Sequence, residues 1–115
     1  MNIIHSKKIN NVVVASFDES ITKFNALITE ETKKALTSLF EKPGTQLILD
    51  LKGIKYVDSS GFGVFLSAMK TAKNSDGSFK ICHINPDVLE LFKLLQLHNI
   101  FNLCNTLEEC LNSAR

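Results

Sequence analysis

The feature that most constrains the fold is the alternation of short apolar strands with longer amphipathic segments. Gln46–Leu51 is a nearly continuous apolar run, which is typical of a strand that is covered on both faces of its sheet. Residues 29–40 and 61–74, on either side of this run, carry apolar side chains at the spacing of one buried helix face. Because strands that alternate with helices usually pair in parallel, the sequence predicts an α/β domain with helices packed on a mostly parallel sheet.

The predicted element order is strand, strand, helix, strand, helix, strand, helix, strand, helix, with no internal repeat. This order predicts a mixed, mostly parallel sheet of four to five strands with about four helices packed on it. The first strand is predicted at Ile3–Ile4 and the second at Ile9–Phe17, and Ile100–Phe101 is predicted to be a short last strand or an extended link. Residue types that cap helices predict three helix starts, at Thr29, Asn85–Pro86 and Thr106.

Composition limits both the size of the protein and the partners that it attracts. A chain of 115 residues has the length of one domain, which we expect to span residues 1–115. Its 13 basic and 12 acidic side chains leave a net charge of +1, so bulk charge does not select nucleic acid or an anionic membrane as a partner. No apolar run approaches the roughly 20 residues of a membrane helix, and the first residues do not form a signal peptide. We therefore expect a cytoplasmic protein without membrane insertion.

The three cysteines, Cys82, Cys104 and Cys110, form no C-x-x-C pair. An odd count without an export signal predicts free, structural thiols in a reducing compartment. Cys82 and His83 are neighbours in a predicted strand and would point to opposite faces, which disfavours a shared ligand site. We therefore expect no metal and no other cofactor.

The motifs that suggest catalysis are incomplete or isolated. Residues 61–63 (GFG) begin like a dinucleotide-binding fingerprint, but Leu66 stands where its third glycine is required. Ser67 and Lys70 match the S-x-x-K string of some acyl-transferring enzymes, without the companion S-D-N and K-T-G strings. The sequence therefore predicts no catalytic residue and no enzymatic activity.

The most informative segment is the polar turn Asp58–Ser60, which stands between a predicted strand and a predicted helix. Aspartate and serine are both good N-cap residues, and a helix needs only one. At least one hydroxyl is therefore left over at the positive end of the helix, where a phosphate would accept hydrogen bonds from backbone N–H groups. The turn is also explained by redundant capping of a helix that packs close to the sheet at Gly61. The apolar residues that follow, Phe62, Val64 and Phe65, belong either to a partner surface or to the core.

Two segments of the chain resemble one known family. The segment Leu49–Leu51 followed by Tyr56–Gly63 is similar to the phosphorylation-site signature of the STAS domain family, in particular of its stand-alone bacterial anti-sigma factor antagonists. The proline-led segment Asn85–Leu94 is similar to a helix of the same family. The likeness extends over about residues 10–113, and it implies a single STAS-like α/β domain.

The resemblance implies partner switching in the regulation of transcription. An unphosphorylated antagonist of this family binds an anti-sigma factor, itself a serine kinase, and so releases a sigma factor. Phosphorylation at Ser59 would abolish this binding, and a serine phosphatase would restore it. The resemblance also implies that Asp58 and Gly61 shape the phosphorylation turn and that Ser60 caps the helix. Near the partner surface would lie Phe62, Val64 and Phe65.

One departure from the family pattern concerns the segment beside the turn. Family members commonly carry a G-x-L-D string there, whereas this chain has Thr22–Asn25, so that Asn25 replaces the acid and the glycine is absent. Asparagine keeps the hydrogen-bonding shape of aspartate without its charge, and Lys23 adds a cation nearby. We expect these changes to reduce the repulsion of a phosphate on Ser59, and they leave the class of kinase open.

A second function is open for the same fold. A STAS domain can serve as a subunit of a transporter or of a signalling scaffold without being phosphorylated, and Ser59 and Ser60 would then only start the helix. Both functions place the same residue types at the same turn, so the geometry of the turn and experiment must separate them.

Overall fold

The computed structural model describes residues 2–113, which form seven strands and four helices. The strands are β1 (Ile4–Ile9), β2 (Val12–Phe17), β3 (Lys23–Phe24), β4 (Gln46–Asp50), β5 (Tyr56–Val57), β6 (Ser78–Cys82) and β7 (Asn102–Cys104). The helices are α1 (Thr29–Ser38), α2 (Ser59–Asn74), α3 (Pro86–Leu94) and α4 (Leu107–Asn112). Within residues 2–113, no helix has both the length and the apolar character needed to cross a membrane.

Five strands form the main sheet, in the order β1-β2-β4-β6-β7. β1 pairs antiparallel with β2, and the other pairings within this sheet are parallel. The predicted α/β class and the mixed, mostly parallel sheet are therefore confirmed.

The hydrophobic core is divided between the two faces of the sheet by the alternation of side chains along β4. Leu47 and Leu49 belong to the larger cluster, which includes residues from α1, α2 and α3. Ile48 points to the other face, where it packs with Cys82 and with Cys110 of α4. Because side chains alternate along a strand, a strand covered on both faces is apolar at successive positions, and this explains the nearly continuous apolar run Gln46–Leu51.

Phenylalanine rings dominate the larger cluster beneath α2. The ring centroid of Phe65 lies 5.5 Å from that of Phe24 and 5.9 Å from that of Phe92. Phe62 meets Phe92 edge to face at 4.9 Å. Offset and edge-to-face pairs at such separations add to the free energy gained by burial, so these contacts hold the first two turns of α2 against β3 and α3.

The N-terminal part of the chain departs from the prediction. The sequence predicts one strand over Ile9–Phe17, but the structure has a β-hairpin in which Asn10 and Asn11 form the two-residue loop. Their φ angles are 51° and 68°, and asparagine is one of the few residues that adopt positive φ readily. The two asparagines are a turn signal that stands directly before the β-branched run of β2. The first strand consequently extends over Ile4–Ile9.

Two predicted helix caps are confirmed and one is wrong. Asn85 Oδ1 accepts a hydrogen bond from the Asp87 N–H at 2.9 Å, and Thr106 Oγ1 accepts one from the Glu109 N–H at 3.1 Å. Thr29 is instead the first residue of α1, whose N-cap position is held by an apolar residue without a side-chain hydrogen bond. The packing of α1 on the core therefore replaces the cap that its sequence suggests.

The last strand begins later than predicted. Its pairing with β6 runs over Asn102–Cys104 and does not include Ile100–Phe101. The Phe101 side chain is buried, with its ring centroid 5.7 Å from that of Phe92 and 6.3 Å from that of Phe79. Phe101 therefore packs in the aromatic cluster, and the strand begins at the next residue.

A separate two-stranded ribbon positions the chain before α2. β3 pairs in parallel with β5, so that Phe24 lies opposite Val57 and the exposed Lys23 lies opposite Tyr56. The pairing continues past β5, because the Asp58 N–H donates to the carbonyl oxygen of Phe24 at 3.1 Å. The ribbon therefore holds the segment around β3 beside the strand that leads into the Asp58–Ser60 turn.

Candidate functional site

The turn between β5 and α2 is built around the carboxylate of Asp58. Asp58 occupies the N-cap position with an extended backbone, and its Oδ1 accepts a hydrogen bond from the Gly61 N–H at 3.1 Å. Its Oδ2 accepts a hydrogen bond from the Ala26 N–H at 3.2 Å. Asp58 therefore satisfies one of the unpaired N–H groups at the helix start and ties the loop after β3 to the turn.

The hydroxyl of Ser60 is engaged within the turn. It donates to Asp58 Oδ1 at 2.6 Å, and the side chain is partly buried. The expectation that Ser60 caps α2 is therefore wrong, because the carboxylate of Asp58 occupies the cap and takes the Ser60 hydroxyl as a further donor. Hydrogen bonds to a charged acceptor are among the stronger ones in proteins, so Ser60 reinforces the cap.

These donors keep the Asp58 carboxylate charged. The hydrogen bond from the Ser60 hydroxyl lowers the pKa of Asp58 below its ordinary value, partial desolvation opposes this change, and the N–H groups of Gly61 and Ala26 add to it. The carboxylate is consequently ionised at neutral pH.

Ser59 is the residue of the turn whose hydroxyl is left over. It is the first residue of α2 and is exposed, and its side chain makes no hydrogen bond to any residue within 2–113. Asp58 and Ser60 complete the cap between them, so capping alone does not account for a third polar residue here. Because a helix start favours negative charge, the Ser59 oxygen is well placed to carry an anionic group.

The segment beside the turn contains Asn25 in place of the acid of the family pattern. Asn25 Oδ1 accepts a hydrogen bond from the Leu27 N–H at 3.1 Å. This bond shapes the loop in which the next residue, Ala26, is hydrogen-bonded to Asp58. Asn25 therefore acts on the turn through the backbone of its own loop, while Lys23 stays exposed on β3.

Gly61 allows α2 to approach the β3–β5 ribbon closely. A Cβ atom at this position would lie 2.7 Å from Val57 Cγ1 and 3.0 Å from Phe24 Cδ2. Both separations are shorter than ordinary contacts between carbon atoms, so any larger residue would displace the helix start and Ser59 with it.

The sequence and the fold both match one known family. Residues 4–110 match the profile of the STAS domain. The chain belongs to the STAS domain family. It is 30% identical over 104 residues to the anti-sigma-B factor antagonist of Bacillus subtilis, a match that covers 90% of this chain and 92% of that protein.

Solved structures of similar fold agree with this membership. An anti-sigma-factor antagonist (STAS) domain protein from Planctomyces limnophilus has a TM-score of 0.87 at 19% identity, over 94% of each chain. The Bacillus cell fate determinant SpoIIAA, in its phosphorylated form, has a TM-score of 0.69 at 17% identity, over 97% of this chain and 99% of that one. The single STAS-like fold is confirmed, and the family identifies a binding protein rather than an enzyme.

The three apolar residues predicted near the partner surface of this STAS domain lie in its core. Phe62, Val64 and Phe65 are all buried, so they lie beneath the surface that the prediction assigned to them. The exposed large hydrophobic side chains of the adjoining segments are those of Leu27, Tyr56 and Leu66, which are 91%, 49% and 39% exposed. Sequence reasoning missed Leu27, because its exposure depends on the loop that the ribbon and Asp58 hold in place.

The cysteines of the STAS domain are arranged differently from the prediction. Cys104 and Cys110 form a disulfide, with their Cα atoms 5.7 Å apart, and Cys82 is a free, buried thiol. The prediction of three free thiols is therefore wrong for one pair. The chain turns back after β7 into α4, and this brings the Cα atoms of Cys104 and Cys110 within the distance that a disulfide can bridge. The spacing of the two residues in the sequence does not reveal this approach.

His83 is also placed differently from the prediction. Its φ of 54° reverses the alternation of side chains that a strand would impose. As a result, His83 Nδ1 lies 3.0 Å from Asp50 Oδ1 and 4.0 Å from Cys82 Sγ. The prediction that Cys82 and His83 point to opposite faces is therefore wrong, and Asp50, Cys82 and His83 form a group of potential metal ligands.

Proposed function

We propose that this STAS domain is an anti-sigma factor antagonist that works by partner switching, with Ser59 as its phosphorylation site. The observation that carries the proposal is the exposed hydroxyl of Ser59, which stands at a helix start while Asp58 and Ser60 satisfy each other. The similarity to proteins named as anti-sigma factor antagonists supports the general role.

A phosphate on Ser59 would change the charge of the turn far more than that of the whole chain. Phosphoserine carries about −1.5 to −2 at neutral pH, so the net charge would change from +1 to roughly −1. The helix start would stabilise the phosphate, but a partner packed on the turn would meet its charge beside the ionised Asp58. Because salt screens exposed charges beyond about 8 Å, the effect is local. We therefore expect binding to be lost without a change of fold.

The proposed partner is an anti-sigma factor that is also a serine kinase. The kinase would hold ATP, whose terminal phosphoryl group would form a bond to Ser59 Oγ as the bond to ADP breaks and the hydroxyl proton passes to a base of the kinase. A serine phosphatase would hydrolyse the phosphoserine and restore the binding form. The STAS domain itself supplies the acceptor hydroxyl and no catalytic group.

The proposed partner surface surrounds Ser59. Leu27 and Leu66 supply exposed apolar area on the adjoining segments, and exposed apolar side chains next to a polar rim are typical of binding sites. Lys23 and Asn25 lie on the β3 side of this surface. The buried residues of the same helix are Phe62, Val64 and Phe65, which pack in the core below this surface.

Replacement of Ser59 tests the proposal. Ser59→Asp introduces a charge at the turn and is expected to weaken binding to the cognate anti-sigma kinase by at least about tenfold, whereas Ser59→Ala is expected to bind like the wild type. Calorimetric titration measures both affinities. A matched control is Ser6→Asp, which adds the same charge at an exposed position on β1 and is expected to leave the affinity unchanged.

Equal affinities of the Ser59→Asp and Ser59→Ala proteins would contradict the proposal. That result would favour the alternative function, a STAS subunit of a transporter or of a signalling scaffold without phosphorylation. An independent measurement is the intact mass of the protein expressed in its native cell. We expect one added phosphate, which fragmentation places on Ser59.

A further inference from the structure

We propose that Asp50, Cys82 and His83 form a binding site for a divalent transition metal ion of the Zn²⁺ class. The site lies at the carboxyl ends of β4 and β6 and shares no residue with the Asp58–Ser60 turn. An experiment can therefore support or contradict the metal site without bearing on the proposed function.

Two neighbouring strands end together at this place. β4 ends at Asp50 and β6 ends at Cys82, and these two residues are partners in the parallel pairing. The Leu51 N–H donates to the carbonyl oxygen of Cys82 at 3.0 Å, which maintains the pairing one residue further. Because paired residues of adjacent strands project to the same face of a sheet, the carboxylate and the thiol stand side by side.

The backbone of His83 brings the third ligand to the same face. The φ angle of His83 is 54°, in the left-handed region, where histidine occurs more often than most residues other than glycine. The imidazole is thereby turned back over the end of β6, with Nδ1 3.0 Å from Asp50 Oδ1 and 4.0 Å from Cys82 Sγ. An ordinary continuation of the strand would have separated His83 from Cys82.

The separations of the three side chains fit a small tetrahedral ion. Zinc binds thiolate sulfur at about 2.3 Å and imidazole nitrogen at about 2.0–2.1 Å, so two tetrahedral ligands of these kinds lie roughly 3.5 Å apart. The separations at His83, 3.0 Å to Asp50 Oδ1 and 4.0 Å to Cys82 Sγ, lie on either side of this value. All three ligand atoms lie within 4.8 Å of one another, so rotations of side chains suffice to place them around one ion.

The chemistry of the donor set favours a metal of intermediate softness. One thiolate, one imidazole and one carboxylate are ligands that zinc accepts together, whereas Mg²⁺ and Ca²⁺ prefer oxygen alone. The Asp50 carboxylate makes both of its hydrogen bonds to described residues through Oδ1, to the Lys52 N–H and to His83. The second oxygen, Oδ2, is therefore available for a metal bond.

Charge and access also suit a cation. The Cys82 thiol is buried, and it lies beside the Asp50 carboxylate. A divalent ion would balance one thiolate and one carboxylate, and its binding would release the thiol proton. The side chains of Asp50 and His83 are 16% and 33% exposed, so the ion can enter from solvent. A water molecule would supply the fourth ligand.

A titration of the reduced 115-residue protein with Co²⁺ tests the site. We expect one equivalent of Co²⁺ to produce a thiolate-to-cobalt charge-transfer band, which Zn²⁺ then displaces. Cys82→Ser is expected to lose the band. His83→Gln is expected to weaken affinity by more than the roughly 10–100-fold typical of changes outside the ligand set. The control His98→Gln, at an exposed histidine outside this group, is expected to bind like the wild type.

A second control separates Cys82 from the other two cysteines. Reductant opens the Cys104–Cys110 disulfide, so the double variant Cys104→Ser, Cys110→Ser is expected to keep the charge-transfer band. Absence of the band in the wild type, its survival in Cys82→Ser or its loss in the double variant would each overturn the proposal. Where circular dichroism shows that Cys82→Ser does not fold, His83→Gln decides, because its partly exposed side chain can be changed without opening the core.

Discussion

At the scale of single residues, the polar turn before α2 divides its hydrogen bonds unequally. Asp58 accepts three of them, from Gly61, Ala26 and Ser60, and thereby organises the turn. The Ser60 hydroxyl donates a hydrogen bond to Asp58, whereas Ser59 is exposed. Three residues that are equivalent as potential caps therefore differ in function, because the N-cap geometry directs each side chain differently.

The charge of Asp58 contributes to stability in a pH-dependent way. Its pKa is lowered in the folded protein, so its contribution is fully present above the unfolded pKa of about 3.9 and is lost as the pH falls through the folded pKa. Asp58→Asn keeps one capping oxygen but loses the charge and the acceptor for the Ala26 N–H. We expect this variant to unfold at a lower temperature than the wild type at neutral pH, with a difference that shrinks below about pH 4.

Thermal unfolding of both proteins between about pH 7 and pH 3 measures this effect. Other acid effects cancel in the comparison. Both proteins keep Asp18, for example, whose pKa is lowered to about 2 by hydrogen bonds from Ser20 and His5. A difference that stays constant or grows in acid would contradict the assignment of Asp58 as a charged cap.

At the scale of elements, the packing of α2 on the β3–β5 ribbon decides where the turn stands. The helix start approaches Phe24 and Val57 so closely that only glycine fits at position 61. The same helix start also contacts α3 through the edge-to-face pair of Phe62 and Phe92. The helix start that carries the exposed Ser59 is therefore closely packed on the β3–β5 ribbon and on α3.

Two glycines in the same helix allow a matched test of this packing. Gly61→Ala is expected to destabilise the protein by about 1–3 kcal/mol, because the added methyl group would overlap Val57 and Phe24. A Cβ atom added at Gly63 would contact no neighbouring atom within 4 Å. Gly63→Ala is therefore expected to be neutral or to stabilise the protein by about 0.5–1 kcal/mol, because alanine favours the helix over glycine. Denaturant unfolding gives both values. A Gly61→Ala protein as stable as Gly63→Ala would contradict the close approach.

At the scale of the whole molecule, α4 closes the second face of the sheet and is held there by a buried lysine. Lys80 of β6 extends beneath α4, where Nζ donates to the carbonyl oxygen of Cys110 at 3.3 Å and contacts the hydroxyl of Ser113. Burial lowers the pKa of Lys80, and the oxygens at the helix end offset the cost of placing an ammonium group there. The Lys80 ammonium group therefore joins the C-terminal end of α4 to β6.

Removal of this cation is expected to loosen α4 more than the rest of the domain. Lys80→Met keeps an apolar stem of similar length and leaves the helix-end oxygens without their donor, at a cost of about 1–3 kcal/mol. We expect hydrogen exchange to accelerate over Leu107–Asn112. Lys52→Met, at an exposed loop position, is the control and is expected to leave exchange in α4 unchanged. Uniform acceleration through the whole sheet in Lys80→Met would contradict a local role.

The class of fold and the polar turn before α2 could both be predicted from the amino-acid sequence. The run Gln46–Leu51 is apolar at successive positions, which is typical of a strand that is covered on both faces of its sheet. The segments on either side of it have apolar side chains at the spacing of one helix face. The caps at Asn85 and Thr106 were also readable, because capping is a contact between residues that are close in the chain. Local interactions of this kind leave a local signature.

The roles of the individual residues in the turn, and the grouping of Asp50 with Cys82 and His83, depend on contacts between distant segments. Ser59 is identified as the free hydroxyl because Asp58 is drawn into a hydrogen bond with Ala26, 32 residues away, and into the cap that Ser60 completes. The burial of Phe62 and its neighbours followed from contacts with α3, and the convergence of Asp50 with His83 followed from strand pairing and one positive φ angle. Contacts between distant segments carry no signature in spacing or composition, because they arise only when the packed elements bring those segments together.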